Sequence, residues 1–395
     1  MLNPALDRLT DFAFARLKTT LAPIEPAGGR DAVIDMSIGE PKHEPPPFLA
    51  EVIQANAGDW NRYPPPDGTP SFRQAVSRWL GRRYAVSVDP SCEILPVAGT
   101  KEALYLLAQL SAAGQRGTAK PVVLMPNPVY GVYVGAAVMA GAEPVMLDAT
   151  PESDHLPNLD ALTPEQLERT ALFYLCSPAN PQGRAASQDY LARAIDLARR
   201  YGFILAVDEC YAELYYDDRP VGALTVAGSS FDNVLVFHSL SKRSNAAGLR
   251  SGFVAGDRRL IRGFDRLRRY GAAVQPLPLM AAAEALWDDE DHVRANRALY
   301  AEKMACAGRL LRGVIGFERP DGGFFLWLDV GNGEEITRKL YRVCGVKALP
   351  GAYLSAPRAD GSTPGDGYLR LALVHSLPVV EQGLQRLVRL LTGRA

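Results

Sequence analysis

A lysine that follows an apolar run and two serines is the residue best placed to do chemistry in this sequence. Residues 234–237 are apolar and rich in β-branched side chains, and Ser239, Ser241 and Lys242 come at their end. Such a run predicts a buried strand whose carboxyl end delivers the amine into a crevice. Withdrawal from water can lower the pKa of such an amine to roughly 7 to 8, which suits Schiff-base chemistry and proton transfer.

A carboxylate ends another wholly apolar run. Residues 203–207 are followed directly by Asp208. Burying a carboxylate is costly unless it meets a cation. Asp208 therefore predicts a positively charged partner, and a protonated pyridine nitrogen would suffice.

Other runs end in groups that could bind a flat ligand carrying a phosphate. Gly99, Thr100 and Lys101 open a helix whose free N–H groups favour an anion, although most such starts are simple caps. Tyr130 could stack on a ring or be an ordinary half-buried aromatic. Asn180, with prolines on either side, offers a pre-ordered amide.

An arginine follows the lysine at a distance suited to the same ligand. Arg250 lies eight residues after Lys242, and a guanidinium can bind two phosphate oxygens at once. A lone lysine usually lies at the surface in a salt bridge. In open α/β sheets, however, ligands bind where the strands end, and the convergence of these strand ends favours the crevice.

Short apolar runs that alternate with helical patterns must position these residues. The runs that predict strands are residues 93–97, 121–125, 144–147, 171–176, 203–207, 234–237 and 252–255. Helical patterns include residues 101–113, 190–201 and 258–270. This alternation predicts an α/β domain with a mainly parallel sheet and helices on both faces.

The ends of the chain follow a different pattern. Beyond residue 276, long helices and strand-like segments without strict alternation predict a smaller α+β domain. We expect a large domain over residues 48–276 and a small one formed by residues 1–47 and 277–395. Leu6, Leu9, Ala13 and Leu17 fall near helical spacing and predict an amphipathic opening helix.

Composition narrows the class of protein. The 395 residues are 47% apolar and 22% charged, with a formal charge of -1, so a globular fold is expected and nucleic acid is a poor partner. Charged residues among the first 22 positions argue against a signal peptide, and no apolar run reaches membrane length. The five cysteines are widely spaced, which suits buried thiols, so we expect a cytoplasmic protein. The histidines lack metal-binding spacing, so we predict no metal site.

Together the motifs resemble those of the class I/II aminotransferases, which use pyridoxal 5'-phosphate (PLP) on fold type I. The matching residues are Ser177-Pro178-x-Asn180-Pro181-x-Gly183, Asp208-Glu209-x-Tyr211, Ser239-x-Ser241-Lys242 and Gly248-x-Arg250. The resemblance covers essentially the whole chain. It implies a large PLP-binding α/β domain and a smaller α+β domain.

The resemblance also implies a role for each residue that contacts the ring. Lys242 forms the Schiff base with PLP and transfers protons, and Asp208 pairs with the pyridinium nitrogen. Asn180 and Tyr211 hold the 3-oxygen of the ring, while Tyr130 stacks on it.

Phosphate and substrate contacts are implied in the same way. The phosphate would be bound by Gly99, Thr100, Lys101, Ser239, Ser241 and Arg250. Arg370 would clamp the α-carboxylate of the substrate, with Gly39 and Asn180 beside it. Tyr63 would reach the phosphate in a neighbouring subunit, which implies an obligate homodimer.

The segment around the lysine narrows the expected substrate. Gln182 replaces the usual threonine before Gly183, and residues 239–245 resemble those of N-succinyldiaminopimelate aminotransferases of bacterial lysine biosynthesis. We therefore expect ping-pong transamination between glutamate and N-succinyl-2-amino-6-oxopimelate. A long acidic substrate needs further cationic or polar contacts, and the sequence does not assign them to Arg243, Ser244 or Asn245.

Three alternatives compete with this hypothesis. An aspartate or alanine aminotransferase would differ only in its side-chain pocket. Ser239 and Lys242 also match the Ser-x-x-Lys motif of penicillin-binding hydrolases, but the Lys-Thr-Gly strand of those enzymes is missing. A PLP-sensing regulator would need a DNA-binding domain, and no helix-turn-helix pattern precedes residue 30.

Overall fold

A seven-stranded sheet dominates the computed structural model, which describes residues 2–9, 11–111 and 119–394. In chain order the strands are β1 (Ile34–Asp35), β2 (Ile94–Val97), β3 (Val122–Asn127), β4 (Glu143–Asp148), β5 (Thr170–Cys176), β6 (Ile204–Asp208), β7 (Val234–Ser239), β8 (Gly252–Gly256), β9 (Phe325–Asp329), β10 (Val346–Lys347), β11 (Leu349–Pro350) and β12 (Tyr368–Ala372).

Helices cover the sheet and build the remainder of the fold. They are α1 (Ala13–Leu21), α2 (Phe48–Ala55), α3 (Pro70–Tyr84), α4 (Thr100–Ser111), α5 (Gly131–Met139), α6 (Pro164–Arg169), α7 (Gln188–Tyr201), α8 (Ala223–Ala227), α9 (Leu240–Arg243), α10 (Arg258–Gly271), α11 (Leu277–Asp288), α12 (Asp291–Leu311), α13 (Gly333–Cys344) and α14 (Leu377–Leu391).

The large sheet has the strand order β2-β8-β7-β6-β5-β3-β4. Strand β8 pairs antiparallel with β2 and with β7, and the other pairs are parallel. Each apolar run that predicts a strand contributes one strand to this sheet. The predicted α/β fold with a mainly parallel sheet is confirmed.

Both faces of the large sheet are buried. In β7, Val234 and Val236 pack into a core shared with α3, α7 and α11, whereas Leu235 and Phe237 pack with α4, α5 and α10. Successive side chains of a strand point to opposite faces. A strand covered on both faces therefore needs a continuous apolar run, which is why these runs are readable in the sequence.

A second core lies around smaller sheets. Strands β11, β12 and β9 form an antiparallel sheet, and β1 pairs in parallel with β10. Side chains from α12, α13 and α14 pack on them together with Ile34 and Met36. The N-terminal strand thus shares a core with the C-terminal elements, while the domain boundaries at residues 48 and 276 remain a prediction.

The opening of the chain differs from the single helix predicted. A 3-10 helix covers Pro4–Arg8, and α1 begins only at Ala13. The backbone of Leu9 is extended, which ends the first helix, and Leu6 and Leu9 are exposed. Only Leu17 of the predicted apolar stripe is buried. No core contact therefore stabilises a helix that continues through residue 9.

Further predictions meet mixed outcomes. Helix α4 ends at Ser111, and residues 112 and 113 of the predicted pattern lie outside the described residues. Only two of the five free cysteines are buried, and the other three are partly exposed. Across the described ranges, no helix has the length and apolar character needed to span a membrane.

Candidate active site

A cavity of about 1290 Å³ opens at the carboxyl ends of the parallel strands. The predicted site residues that line it are Gly39, Thr100, Lys101, Tyr130, Asn180, Asp208, Tyr211, Ser239, Ser241, Lys242, Arg250 and Arg370. Gly99 lies against Arg250 just behind this lining. The side chain of Tyr63 is fully exposed to solvent, so within one chain it is not part of the cavity.

Lys242 is presented by the short helix α9. Ser239, the last residue of β7, caps this helix, because its hydroxyl accepts the backbone N–H of Ser241 at 3.1 Å. The Lys242 Nζ donates to the carbonyl of Gly39 at 2.6 Å and lies 5.3 Å from the centre of the Phe324 ring. Burial lowers the pKa of Lys242 from 10.5 to about 8, so a useful fraction of the amine is uncharged near neutral pH.

Asp208 ends β6 inside the cavity. Its carboxylate accepts hydrogen bonds from the Tyr133 hydroxyl at 3.1 Å and from the backbone N–H of Cys210 at 3.3 Å. Burial raises the pKa of Asp208, and both of these donors are neutral. A cationic ligand would stabilise the ionised form.

Tyr133 is a site residue that the sequence did not reveal. It lies on α5, and its ring stacks on Tyr174 with centroids 4.4 Å apart. Its position three residues after Tyr130 was the available signal, because one helical turn brings such residues to the same side. The helical patterns named from the sequence do not include this stretch.

Gly99 and Arg250 form a candidate anion site. Gly99 has φ +83°, and a Cβ placed on it would lie 2.1 Å from Nη2 of Arg250. The glycine therefore provides both a left-handed turn and room for the guanidinium. The first backbone N–H groups of α4, beginning at Thr100, and the hydroxyls of Ser239 and Ser241 complete a set of donors suited to a phosphate.

Arg370 reaches the same cavity from β12 of the smaller sheet. It is only 3% exposed, donates to Oδ1 of Asn180 at 3.1 Å and to the carbonyl of Ser37 at 2.7 Å, and lies 4.3 Å over the Phe325 ring. Its Nε is buried without a partner among the described residues. Burial lowers the pKa of Arg370 to about 10, so the guanidinium stays charged and can bind a carboxylate.

Tyr211 closes the cavity beside these groups. Its ring makes edge contacts with Phe324 and Phe325, at centroid distances of 5.6 and 5.8 Å. Burial raises the pKa of the phenol well above its ordinary value. Tyr211 therefore keeps its hydroxyl proton and can donate it to a ligand oxygen.

The residues after the lysine point away from the cavity. Arg243 is buried and donates to the carbonyl of Leu286 at 2.6 Å and to Glu290 at 2.8 Å. Ser244 contacts His292 at 2.8 Å. None of residues 243–245 lines the cavity, so they give no contact to a substrate side chain.

Instead, the N-terminal segment supplies part of the cavity wall. Phe12, Phe14 and Arg16 all line it. The Phe14 ring lies 5.9 Å from the guanidinium of Arg370, and the guanidinium of Arg16 lies 4.2 Å from the centre of the Tyr353 ring. The sequence interpretation missed this wall, because its contacts depend on how separate elements of the fold pack.

These residues fit PLP. The ligand would bring a phosphate to Arg250, a protonated ring nitrogen to Asp208 and a planar ring to Tyr130. Each of these three side chains lines the same cavity. Gly99, which has no room for a side chain beside Arg250, adds a feature that a purely structural turn would not require.

Comparison with known proteins gives a consistent result. The family "Aminotransferase class I and II" matches residues 31–387. Relatives include 4-dedimethylamino-4-oxo-anhydrotetracycline transaminase OxyQ of Streptomyces rimosus, 34% identical over 87% of this chain and 89% of the relative. LL-diaminopimelate aminotransferase of Desulforudis audaxviator is 31% identical over 96% of this chain and 95% of the relative. A solved aminotransferase from Neisseria meningitidis has 38% identity and a TM-score of 0.94, covering 98% of this chain and 100% of that chain.

Replacing Gly99 tests the anion site. In Gly99→Ala, the new methyl group displaces Arg250, and we expect the Kd for PLP to rise by about tenfold or more, the effect of losing a charge-assisted hydrogen bond. Gly141→Ala is the matched control, because Gly141 has φ +79° but open space around it. Fluorescence titration of the PLP-free proteins measures both. Equal affinity in the two variants would show that Arg250 does not hold the cofactor.

The lowered pKa of Lys242 predicts a pH profile. Since only the uncharged amine reacts with aldehydes, reductive methylation of Lys242 in the PLP-free protein should rise with a midpoint near pH 8. Mass spectrometry of the peptide that carries Lys242 follows the reaction, and peptides with other lysines provide the comparison. A midpoint at about pH 10, the ordinary range for lysine, would contradict the burial argument.

Proposed function

Because the chain belongs to the class I and II aminotransferases, which depend on PLP, we propose that it transfers an amino group between glutamate and N-succinyl-2-amino-6-oxopimelate. The products are 2-oxoglutarate and N-succinyl-diaminopimelate, an exchange that belongs to diaminopimelate and lysine biosynthesis.

The observation that supports transamination most directly is that an amine and a guanidinium bind the same short backbone segment and therefore lie close together. Lys242 donates to the carbonyl of Gly39, and Arg370 donates to that of Ser37. Two residues of extended chain span at most about 7 Å, so the amine and the guanidinium lie within about 12 Å of each other. That spacing lets an amino acid bind Arg370 through its carboxylate while its Cα faces Lys242.

PLP, Asp208 and Lys242 would have separate roles in the reaction. PLP, when bound, supplies an electrophilic carbon and a protonated ring that stabilises negative charge at Cα of the amino acid. Asp208 would keep the ring nitrogen protonated. Nζ of Lys242 takes the proton from Cα of glutamate and returns one to Cα of the second substrate in the reverse half-reaction. The low pKa of Lys242 allows both transfers near neutral pH.

We also propose that a second copy of the chain completes the site. Tyr63 is 101% exposed, and Trp60 nearby is 53% exposed. Large aromatic residues are enriched in interfaces between subunits. A homodimer would bury both residues and bring Tyr63 to the phosphate of the other subunit.

Two cations in the cavity support an acidic substrate. Arg16 and Lys101 line it, and neither has an ion pair within the described part of the chain. Arg16 interacts electrostatically with Glu334, but Glu334 already forms an ion pair with Arg338 at 2.8 Å. A succinyl carboxylate would therefore find cations beyond the one that binds the α-carboxylate.

A second candidate is LL-diaminopimelate without the succinyl group. The relatives named LL-diaminopimelate aminotransferase suggest it, and Asp11 and Glu40, which also line the cavity, could bind a distal ammonium group. Glutamate paired with each keto acid in turn separates the candidates. Strong activity with oxaloacetate and none with the succinylated keto acid would instead indicate an aspartate aminotransferase.

The visible spectrum tests the proposed role of Lys242. Purified protein loaded with PLP should show a visible band that glutamate bleaches, and Lys242→Ala should lose both the band and transamination, with a rate at least about 10² to 10⁴ times lower. Lys18→Ala, an exposed lysine on α1, is the control and should keep both. A band in Lys242→Ala like that of the wild type would refute the assignment.

Neutral replacements test the substrate. In Arg16→Gln and Lys101→Gln, we expect KM for the succinylated substrate to rise about tenfold, the loss of one charge-assisted contact, with KM for glutamate changed far less. Lys18→Gln lies on the same helix as Arg16 but outside the cavity and should behave as the wild type. If KM for both substrates rises equally, the cations act on PLP or on the α-carboxylate instead.

A further inference from the structure

The helix that carries Lys242 is too short to satisfy its own backbone. Helix α9 has four residues, and the last carbonyls of any helix lack partners within it. The N–H of Ser244 bonds to Leu240 at 3.0 Å, and the chain then turns at Asn245, which has φ +51°. The carbonyl groups of Lys242 and Arg243 therefore need donors from elsewhere.

Asn296 of α12 supplies those donors. Its Nδ2 donates to the carbonyls of Lys242 and Arg243 at 3.1 and 3.2 Å. Its Oδ1 accepts from Nδ2 of Asn245 at 3.0 Å and contacts Nδ1 of His43 at 2.9 Å. Asn296 is only 3% exposed, and this arrangement uses both of its N–H groups and both lone pairs of its oxygen.

The tautomer of His43 follows from its other neighbour. Nζ of Lys303 lies 2.5 Å from Nε2 of His43, and Lys303 is 2% exposed. An ammonium group can only donate, so Nε2 accepts and Nδ1 carries the hydrogen that is donated to Asn296. Asn296, Tyr300 and Lys303 lie on successive turns of α12, and the His43 ring packs on Tyr300 with ring centroids 4.6 Å apart.

We propose that Asn296 is a positioning residue for Lys242, and that His43 and Lys303 fix its orientation. The segment from Gly39 to His43 thus acts on both ends of Lys242: Gly39 accepts directly from Nζ, and His43 bonds to the Asn296 amide that donates to the Lys242 carbonyl. Farther along α12, Met304, Ala307 and Leu311 pack into the second core. The orientation of the Lys242 amine thus depends on how α12 packs against the core of the smaller sheets. This inference rests on the proposed role of Lys242.

An isosteric pair of variants tests the proposal. Asn296→Asp removes both donors and keeps the shape, whereas Asn233→Asp removes a similar donor, which bonds to the carbonyl of Phe203 at 2.8 Å just before β7. In the PLP-loaded protein, Asn296→Asp should slow bleaching by saturating glutamate about tenfold or more, as expected for a misplaced catalytic group. Asn233→Asp should bleach at the wild-type rate even if its thermal unfolding temperature falls as far.

A second readout avoids the cofactor. The pH midpoint for methylation of Lys242 in the PLP-free protein should move in Asn296→Asp and stay in Asn233→Asp. His43→Asn keeps an N–H donor near the position of Nδ1 and should largely restore the bleaching rate that His43→Leu loses. These two variants keep the test decisive if Asn296→Asp does not fold.

The outcomes separate two ideas. Wild-type bleaching and an unmoved midpoint in Asn296→Asp, or equal loss in both Asp variants, would overturn the positioning role. Retention of the visible band by Lys242→Ala would instead overturn the role of the lysine itself, whatever Asn296 does.

Discussion

The structure depends on one constraint, the burial of three ionisable side chains in a single cavity. Lys242, Asp208 and Arg370 are held there mainly by neutral groups: backbone carbonyls, an amide, a hydroxyl and a backbone N–H. Burial of an ion costs several kcal/mol even after relaxation, so the two packed cores must offset it. A ligand with a carboxylate and a protonated ring would relieve that cost, which is why these buried charges indicate a binding site.

The topology explains how distant residues reach one cavity. Parallel strands end at the same edge of a sheet, which brings Asp208 and Lys242 together from β6 and β7. Arg370 comes from a different sheet, and the segment from Ser37 to His43 joins the two. Its carbonyls bind both cations, and its histidine reaches α12. The segment from Ser37 to His43 is therefore part of the site, although it lies more than 150 residues before Asp208 and Lys242 in the sequence.

The sequence predicts the large sheet and most of the cavity because the relevant information is local. A strand buried on both faces must be apolar along its length, and a charge at its end is conspicuous. Tyr133, Phe14 and Asn296 were missed for the opposite reason. Their contacts depend on how separate elements pack, and nothing in the neighbourhood of Asn296 indicates that its amide faces a backbone 54 residues away. The opening helix was overpredicted because Leu6 and Leu9, unlike Leu17, meet no core.

The packing of residues 243–245 also limits what their identities can indicate about the substrate. Arg243, Ser244 and Asn245 are committed to Glu290, His292 and Asn296, so their identities report how the lysine is held. Specificity must then arise where side chains still face the cavity, and the N-terminal segment with Arg16 meets that condition. Because α1 packs on a core separate from the large sheet and from the contacts of Gly39 and His43, Arg16 can change with the substrate while the geometry around Lys242 stays constant.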